Sequence, residues 1–156
     1  MTNAFPLKIR FLTFSLFISL VVGGFIFFLS YQNLYAYQDI KISMLPLPAS
    51  LLPVGFVSLF TLMGVSGYLL YVSDSPYKEM PLKLYALQFA VGLLWSVFFF
   101  NLRVRMVAFL WLILLAALAV AMIISFHQIN KLAAYLQIPY FLWIVFLGYL
   151  NHAVFF

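Results

Sequence analysis

Residues 106–130 read MVAFLWLILLAALAVAMIISFHQIN, 25 residues without a Lys, Arg, Asp or Glu. A helix needs about 20 mostly apolar residues to cross a hydrocarbon layer roughly 30 Å thick, so this run holds one crossing and is too short for two. The same reading between charges finds four more windows, Phe11–Gln38, Ile42–Ser73, Leu84–Leu102 and Leu132–Phe156, of 28, 32, 19 and 25 residues. All are continuously apolar instead of alternating, and a backbone in lipid must satisfy its own hydrogen bonds, which favours helices over barrel strands. The expected fold is an all-α membrane protein, one five-transmembrane-helix bundle over 1–156, with helices at about 11–29, 51–72, 84–101, 105–126 and 135–155.

Composition agrees. Of 156 residues 67% are hydrophobic and 7% charged, where a soluble domain carries about 25% charged residues. Eleven charges could not solvate such a globule, so most of its surface faces lipid. The net charge of +5 would suggest nucleic acid in a soluble protein, but here the basic residues sit singly beside apolar runs and serve topology. With no Cys, disulfides and thiolate chemistry are excluded. Lys8 and Arg10 precede the apolar run Phe11–Leu29 in the manner of a signal peptide. That run exceeds an h-region of roughly 7–15 residues and no A-x-A-like site follows, so it is retained as the first helix.

The connection 30–50, with Tyr31, Tyr35, Tyr37 and Pro46 and Pro48, is expected to lie at the interface as a cap. Five crossings put Lys8, Arg10, Lys78, Lys83 and Lys131 on one side and Lys41, Arg103 and Arg105 on the other, which favours a cytoplasmic N-terminus.

Asp39, Asp74 and Glu79 all fall in connections, and no span contains a carboxylate or a Lys, which argues against a pump or secondary transporter. His127 and His152 are far apart and lack neighbouring ligands, so no metal site is expected. No nucleophile is flanked by a base and no Gly-rich phosphate loop occurs, so no catalytic residue is assigned.

Aromatic and weakly polar side chains remain, arranged on helix faces. Phe56, Phe60, Met63 and Gly67 share one face of the second span, Gln88, Gly92, Trp95 and Phe99 one face of the third, and Trp143, Leu147 and Asn151 one face of the fifth after Pro139. At about 1.5 Å per residue, Phe56 and Trp95 lie at similar depths below the connection 30–50, so the three stripes are expected to line one cavity beneath that cap. Packing is the commoner reason for such stripes. Gln88 either fastens helices together or meets a ligand. Ser96 is expected to bond back to its own helix and Asn151 to fix a helix end. Ala86 with Ala90, Ala117 with Ala121, and Gly64 near Gly67 permit close helix approach.

QFAVGLLWSVFFF at 88–100 resembles the signature Q-x-x-x-N-x-x-W-S-x-x-F-F, and LAAYLQIPYFLWIVFLGYLN at 132–151 resembles A-A-x-L-x-x-P-Y-x-x-W-x-x-F-x-x-x-L-N. Both belong to the tryptophan-rich sensory protein or translocator protein family, formerly the peripheral-type benzodiazepine receptor. The likeness covers most of the chain after Lys41, with departures. Met44 and Phe56 stand where the family has Trp, Gly92 where it has Asn, and no Lys or Arg follows Tyr149.

The resemblance implies a dimeric membrane receptor for porphyrins, haem-like tetrapyrroles and other flat hydrophobic molecules, bound beneath the first loop. Carried over, the pocket includes Phe56, Gly92, Trp95, Trp143, Phe146 and Leu147. With the face analysis this gives a candidate ligand site of Phe56, Phe60, Gln88, Gly92, Trp95, Ser96, Phe99, Trp143, Phe146 and Leu147, needing no cofactor beyond the tetrapyrrole as ligand. Some family members degrade protoporphyrin in light through pocket tryptophans, an alternative weakened here by Met44 and Phe56. A translocator or regulatory partner for tetrapyrroles is a third reading. The expected location is a bacterial inner membrane, crossed several times.

Overall fold

Five long helices follow the order of the charge-free windows. The computed structural model describes residues 4–34, 51–102 and 104–155, with the side chains of most of them. Helix α1 spans Ala4–Leu34, α2 Leu51–Tyr71, α3 Glu79–Ser96, α4 Arg105–His127 and α5 Lys131–Phe155. A π-helical turn, Val97–Asn101, continues α3, with Leu102 N–H donating to the Val97 carbonyl at 3.0 Å. Each of the five helices contains a stretch long and apolar enough to cross a membrane.

Helix ends follow local chemistry. α1 starts before and ends after the expected 11–29, because Lys8 and Arg10 are good helix formers and Pro6 sits in the first turn, where its missing N–H costs nothing. The cap expected over 30–50 is therefore helical as far as Leu34, and its remainder lies outside the described residues. α5 starts at Lys131 because Asn130 caps it, its Oδ1 accepting the Ala133 N–H at 3.2 Å. The C-terminus of α2 is closed by Lys78, whose Nζ donates to the Tyr71 and Ser73 carbonyls at 2.8 and 3.0 Å.

Around the bundle the neighbours run α1, α2, α5, α4, α3 and back to α1. The near end holds the start of α1 and the α2–α3 and α4–α5 connections; the far end holds the start of α2 and the α3–α4 connection. Two glycines bring α1 against α2. A Cβ on Gly23 would lie 2.4 Å from Phe60 Cγ, and one on Gly64 would lie 3.0 Å from Leu16 Cα. Only hydrogen fits at Gly23, and at Gly64 a Cβ would crowd the backbone of α1.

The distribution of polarity is that of a protein in lipid. Phe14, Phe17 and Phe28 on α1, Ile113 on α4 and Leu142 on α5 are exposed, whereas Ser19, Ser66, Gln88, Ser96 and Gln137 are completely buried. In water such an arrangement would expose its apolar surface and hide its solubilising groups; in a bilayer each face meets its proper solvent. The protein is an integral, multi-pass membrane protein.

Candidate ligand-binding site

α2 turns Phe56, Phe60 and Met63 inward, at the spacing of one helix face. Phe56 and Phe60 lie parallel with centroids 6.1 Å apart. Phe56 also meets Trp143 of α5 edge-on at 5.6 Å and Phe27 of α1 at 5.9 Å. Phe60 continues the chain to Phe89 of α3 at 6.1 Å and Tyr140 of α5 at 6.3 Å. Offset and edge-to-face contacts of this kind are worth about 0.5–1.5 kcal/mol each beyond area burial.

The α3 stripe supplies the polar part. Gln88 is fully buried, and its Nε2 donates to the Leu115 carbonyl of α4 at 3.2 Å and, at 3.5 Å, to Tyr140 Oη. Its Oε1 has no partner among the described residues. The fastening role is thus visible in one half of the amide, while the other half is left for something else. Gly92, one turn along, would place a Cβ 3.6 Å from Tyr140 Oη and near nothing else, so room exists beside that hydroxyl. Trp95 is buried and stacks on Phe99 at 5.3 Å. Ser96 donates to the Leu93 carbonyl at 2.7 Å, within its own helix.

On α5, Trp143 meets Phe146 at 5.6 Å, and Leu147 packs on the same cluster. Trp143 Nε1 is buried without a partner among the described residues. Seven of the ten expected residues lie in or against one aromatic centre. Phe56, Phe60 and Trp95 are buried in it, Phe99, Trp143 and Leu147 are packed on it, and Phe146 joins it through Trp143. The rings touch one another. Two cavities described by the structure, of about 230 and 460 Å3, open instead on the near half of the bundle, and none of the ten residues lines either.

Tyr140 is the residue that sequence reasoning left out of the site. It bonds Gln88, faces Gly92 and meets Phe60, so it joins α2, α3 and α5. Its spacing of three to Trp143 and seven to Leu147 was the available signal. Gln137, one turn earlier, is fully buried with both amide atoms unpartnered among the described residues. Asn151 is similar. Expected to fix a helix end, its side chain is buried and makes no hydrogen bond among the described residues.

A comparison with known families matches residues 12–156 to the TspO/MBR family. The chain belongs to the TspO/MBR family. Relatives include Translocator protein 2 of Canis lupus familiaris, 35% identical over 62% of this chain and 59% of its own length. Tryptophan-rich protein TspO of Chlorobaculum tepidum is 29% identical over 69% of both chains, and Protein CrtK of Rhodobacter capsulatus is 29% identical over 69% and 68%. The chain spans less than two thirds of the length of the mammalian relatives it matches. All three tryptophans of this TspO/MBR protein join the same buried cluster, Trp95 within it and Trp143 and Trp111 packed on it; Trp111 also donates its Nε1–H to the Val91 carbonyl at 2.9 Å and ties α4 to α3.

Proposed function

We propose that this TspO/MBR protein is a receptor-like membrane protein that binds a flat hydrophobic ligand, a porphyrin or related tetrapyrrole, in the aromatic centre between α2, α3 and α5. One observation carries the reading: rings from three helices share a buried cluster with two polar atoms, Gln88 Oε1 and Trp143 Nε1, that have no partner among the described residues. Leaving a buried polar atom unpaired costs about 1–3 kcal/mol, so a ligand offering a donor to Gln88 and an acceptor to Trp143 recovers that cost. Its flat face is buried at about 25 cal/mol per Å2 and stacks on the rings it meets. Because Phe56 and Trp143 touch in the absence of a guest, entry requires those two rings to part. Few directional groups surround the centre, which makes for broad specificity.

The setting we propose is a bacterial inner membrane with the near end, which carries Arg10, Lys78, Lys83 and Lys131, in the cytoplasm. The chain would act as a homodimer, with exposed Ala86 and Ala90 on α3 allowing close approach of a second copy.

Tryptophan-fluorescence quenching by protoporphyrin in detergent tests the reading. Phe56→Ala, which keeps all three fluorophores, and Trp143→Ala should each weaken binding about tenfold, the loss of one stacked pair and its buried area. Unchanged affinity in both variants would overturn the site. Illumination of the complex separates binding from breakdown, since a binder leaves the porphyrin absorbance intact.

A further inference from the structure

Of the two cavities outside the aromatic centre, the smaller and the more apolar is a groove of about 230 Å3 on the near half of the bundle, walled by α1, α2 and α3. Independently of the proposed tetrapyrrole site, we infer that this groove holds one acyl chain of an anionic glycerophospholipid, with the phosphate beside Lys78. Phe11, Phe14 and Ile18 form one wall and Tyr68, Tyr71 and Leu82 the other. From Phe11 to Ile18 it runs seven residues along α1, about 10 Å into the bilayer from the near end.

The floor accepts hydrocarbon and little else. Tyr85 packs closely on Gly67, where an added Cβ would come 2.8 Å from its Cζ. Its hydroxyl donates to the Met63 carbonyl at 2.9 Å and lies 3.0 Å from Ser19 Oγ. Ser15 donates to the Gly64 carbonyl at 2.8 Å. Every hydroxyl at the bottom is thus turned inward and engaged, and what faces the groove is ring and aliphatic carbon. A ligand with polar groups along its length would find no partner there, whereas a methylene chain needs none.

The rim is cationic. Phe11 meets Tyr71 at 4.7 Å, and Lys78 Nζ stands 5.4 Å from the centroid of the same Tyr71 ring. Two of the three ammonium protons go to the Tyr71 and Ser73 carbonyls. The third is left for an anion. Asp74 lies in the same connection as Lys78 and Glu79 opens α3 directly after it, but neither pairs with Lys78 among the described residues. Arg10 directly precedes Phe11, and Lys83 and Lys131 lie at the same end. A phosphodiester carrying a net negative charge complements this rim; a zwitterionic headgroup brings its own cation into it.

The test is native mass spectrometry of the full chain equilibrated with phosphatidylglycerol or phosphatidylcholine of identical acyl chains. Phosphatidylglycerol should be retained about fivefold better, the worth of one well-placed lysine at the headgroup. Lys78→Gln should remove that preference. Ile18→Trp, which fills the groove from an exposed wall, should displace both lipids. Equal retention of the two lipids, or retention unchanged in both variants, overturns the inference. A phosphatidylglycerol with a diazirine in mid-chain makes the test independent of variant folding: in the unaltered chain it should label residues 11–18 or 82–85, and labelling confined to other helices overturns the site.

Discussion

The contact between Gly23 and Phe60 offers a test of the packing that builds the aromatic centre. Gly23 and Gly24 are adjacent on α1, and both lie within a helix, yet their surroundings differ. A Cβ at Gly23 would stand 2.4 Å from Phe60 Cγ and 3.0 Å from Phe60 Cβ, whereas a Cβ at Gly24 would meet nothing within 4 Å. The atoms in the way at Gly23 are the root of the Phe60 side chain, which cannot swing aside without the ring losing Phe56, Phe89 and Tyr140 together. Both Gly→Ala changes receive the same gain in helix propensity, about 1 kcal/mol at most, so it cancels in the comparison. What remains is the overpacking cost, about 1–3 kcal/mol. For a chain of this size, that places the thermal midpoint of Gly23→Ala about 2–12 °C below that of Gly24→Ala in the same detergent. The measurement is thermal unfolding of both variants followed by circular dichroism. Equal midpoints, or a higher one for Gly23→Ala, would refute the close approach of α1 to Phe60.

Three further outcomes are expected. Gln88→Leu removes a half-satisfied buried amide, so stability in chemical denaturation should stay within about 1 kcal/mol of the parent while porphyrin affinity falls; a fall in stability with affinity unchanged would mean that Gln88 only fastens helices. Tyr85→Phe deletes the bond to the Met63 carbonyl and leaves the buried Ser19 hydroxyl without that partner, and should lower unfolding free energy by about 1–2 kcal/mol. Trp111→Phe loses the bond to the Val91 carbonyl and should cost about 1 kcal/mol in the same assay, with porphyrin quenching of the remaining tryptophans preserved.

The number, order and approximate extent of the helices could be read from the chain because they depend on local quantities. A charge-free apolar run of about 20 residues has one stable arrangement in lipid, whatever its neighbours do. Ends were shifted where a local device acts at short range: Asn130 capping α5, or Lys8 and Arg10 extending α1 through a first turn that tolerates Pro6. The aromatic faces of α2, α3 and α5 were legible from spacing alone, and their rings do lie in one cluster.

What a single helix could not reveal is which of its faces meets protein. Each of these helices is apolar around its whole circumference, so hydrophobicity carries almost no directional signal. Phe60 and Phe17 are the same residue type, yet one is buried against the rings of Phe56, Phe89 and Tyr140 and the other is exposed. The order α1, α2, α5, α4, α3 makes that distinction, and with it the role of Tyr140, the two fates of the Gln88 amide and the groove on the near half. Partition into lipid is a property of each segment and is written residue by residue; side-chain burial within lipid is a property of helix pairs, set by where a glycine lets one backbone close on its neighbour, and it exists only once the five are packed together.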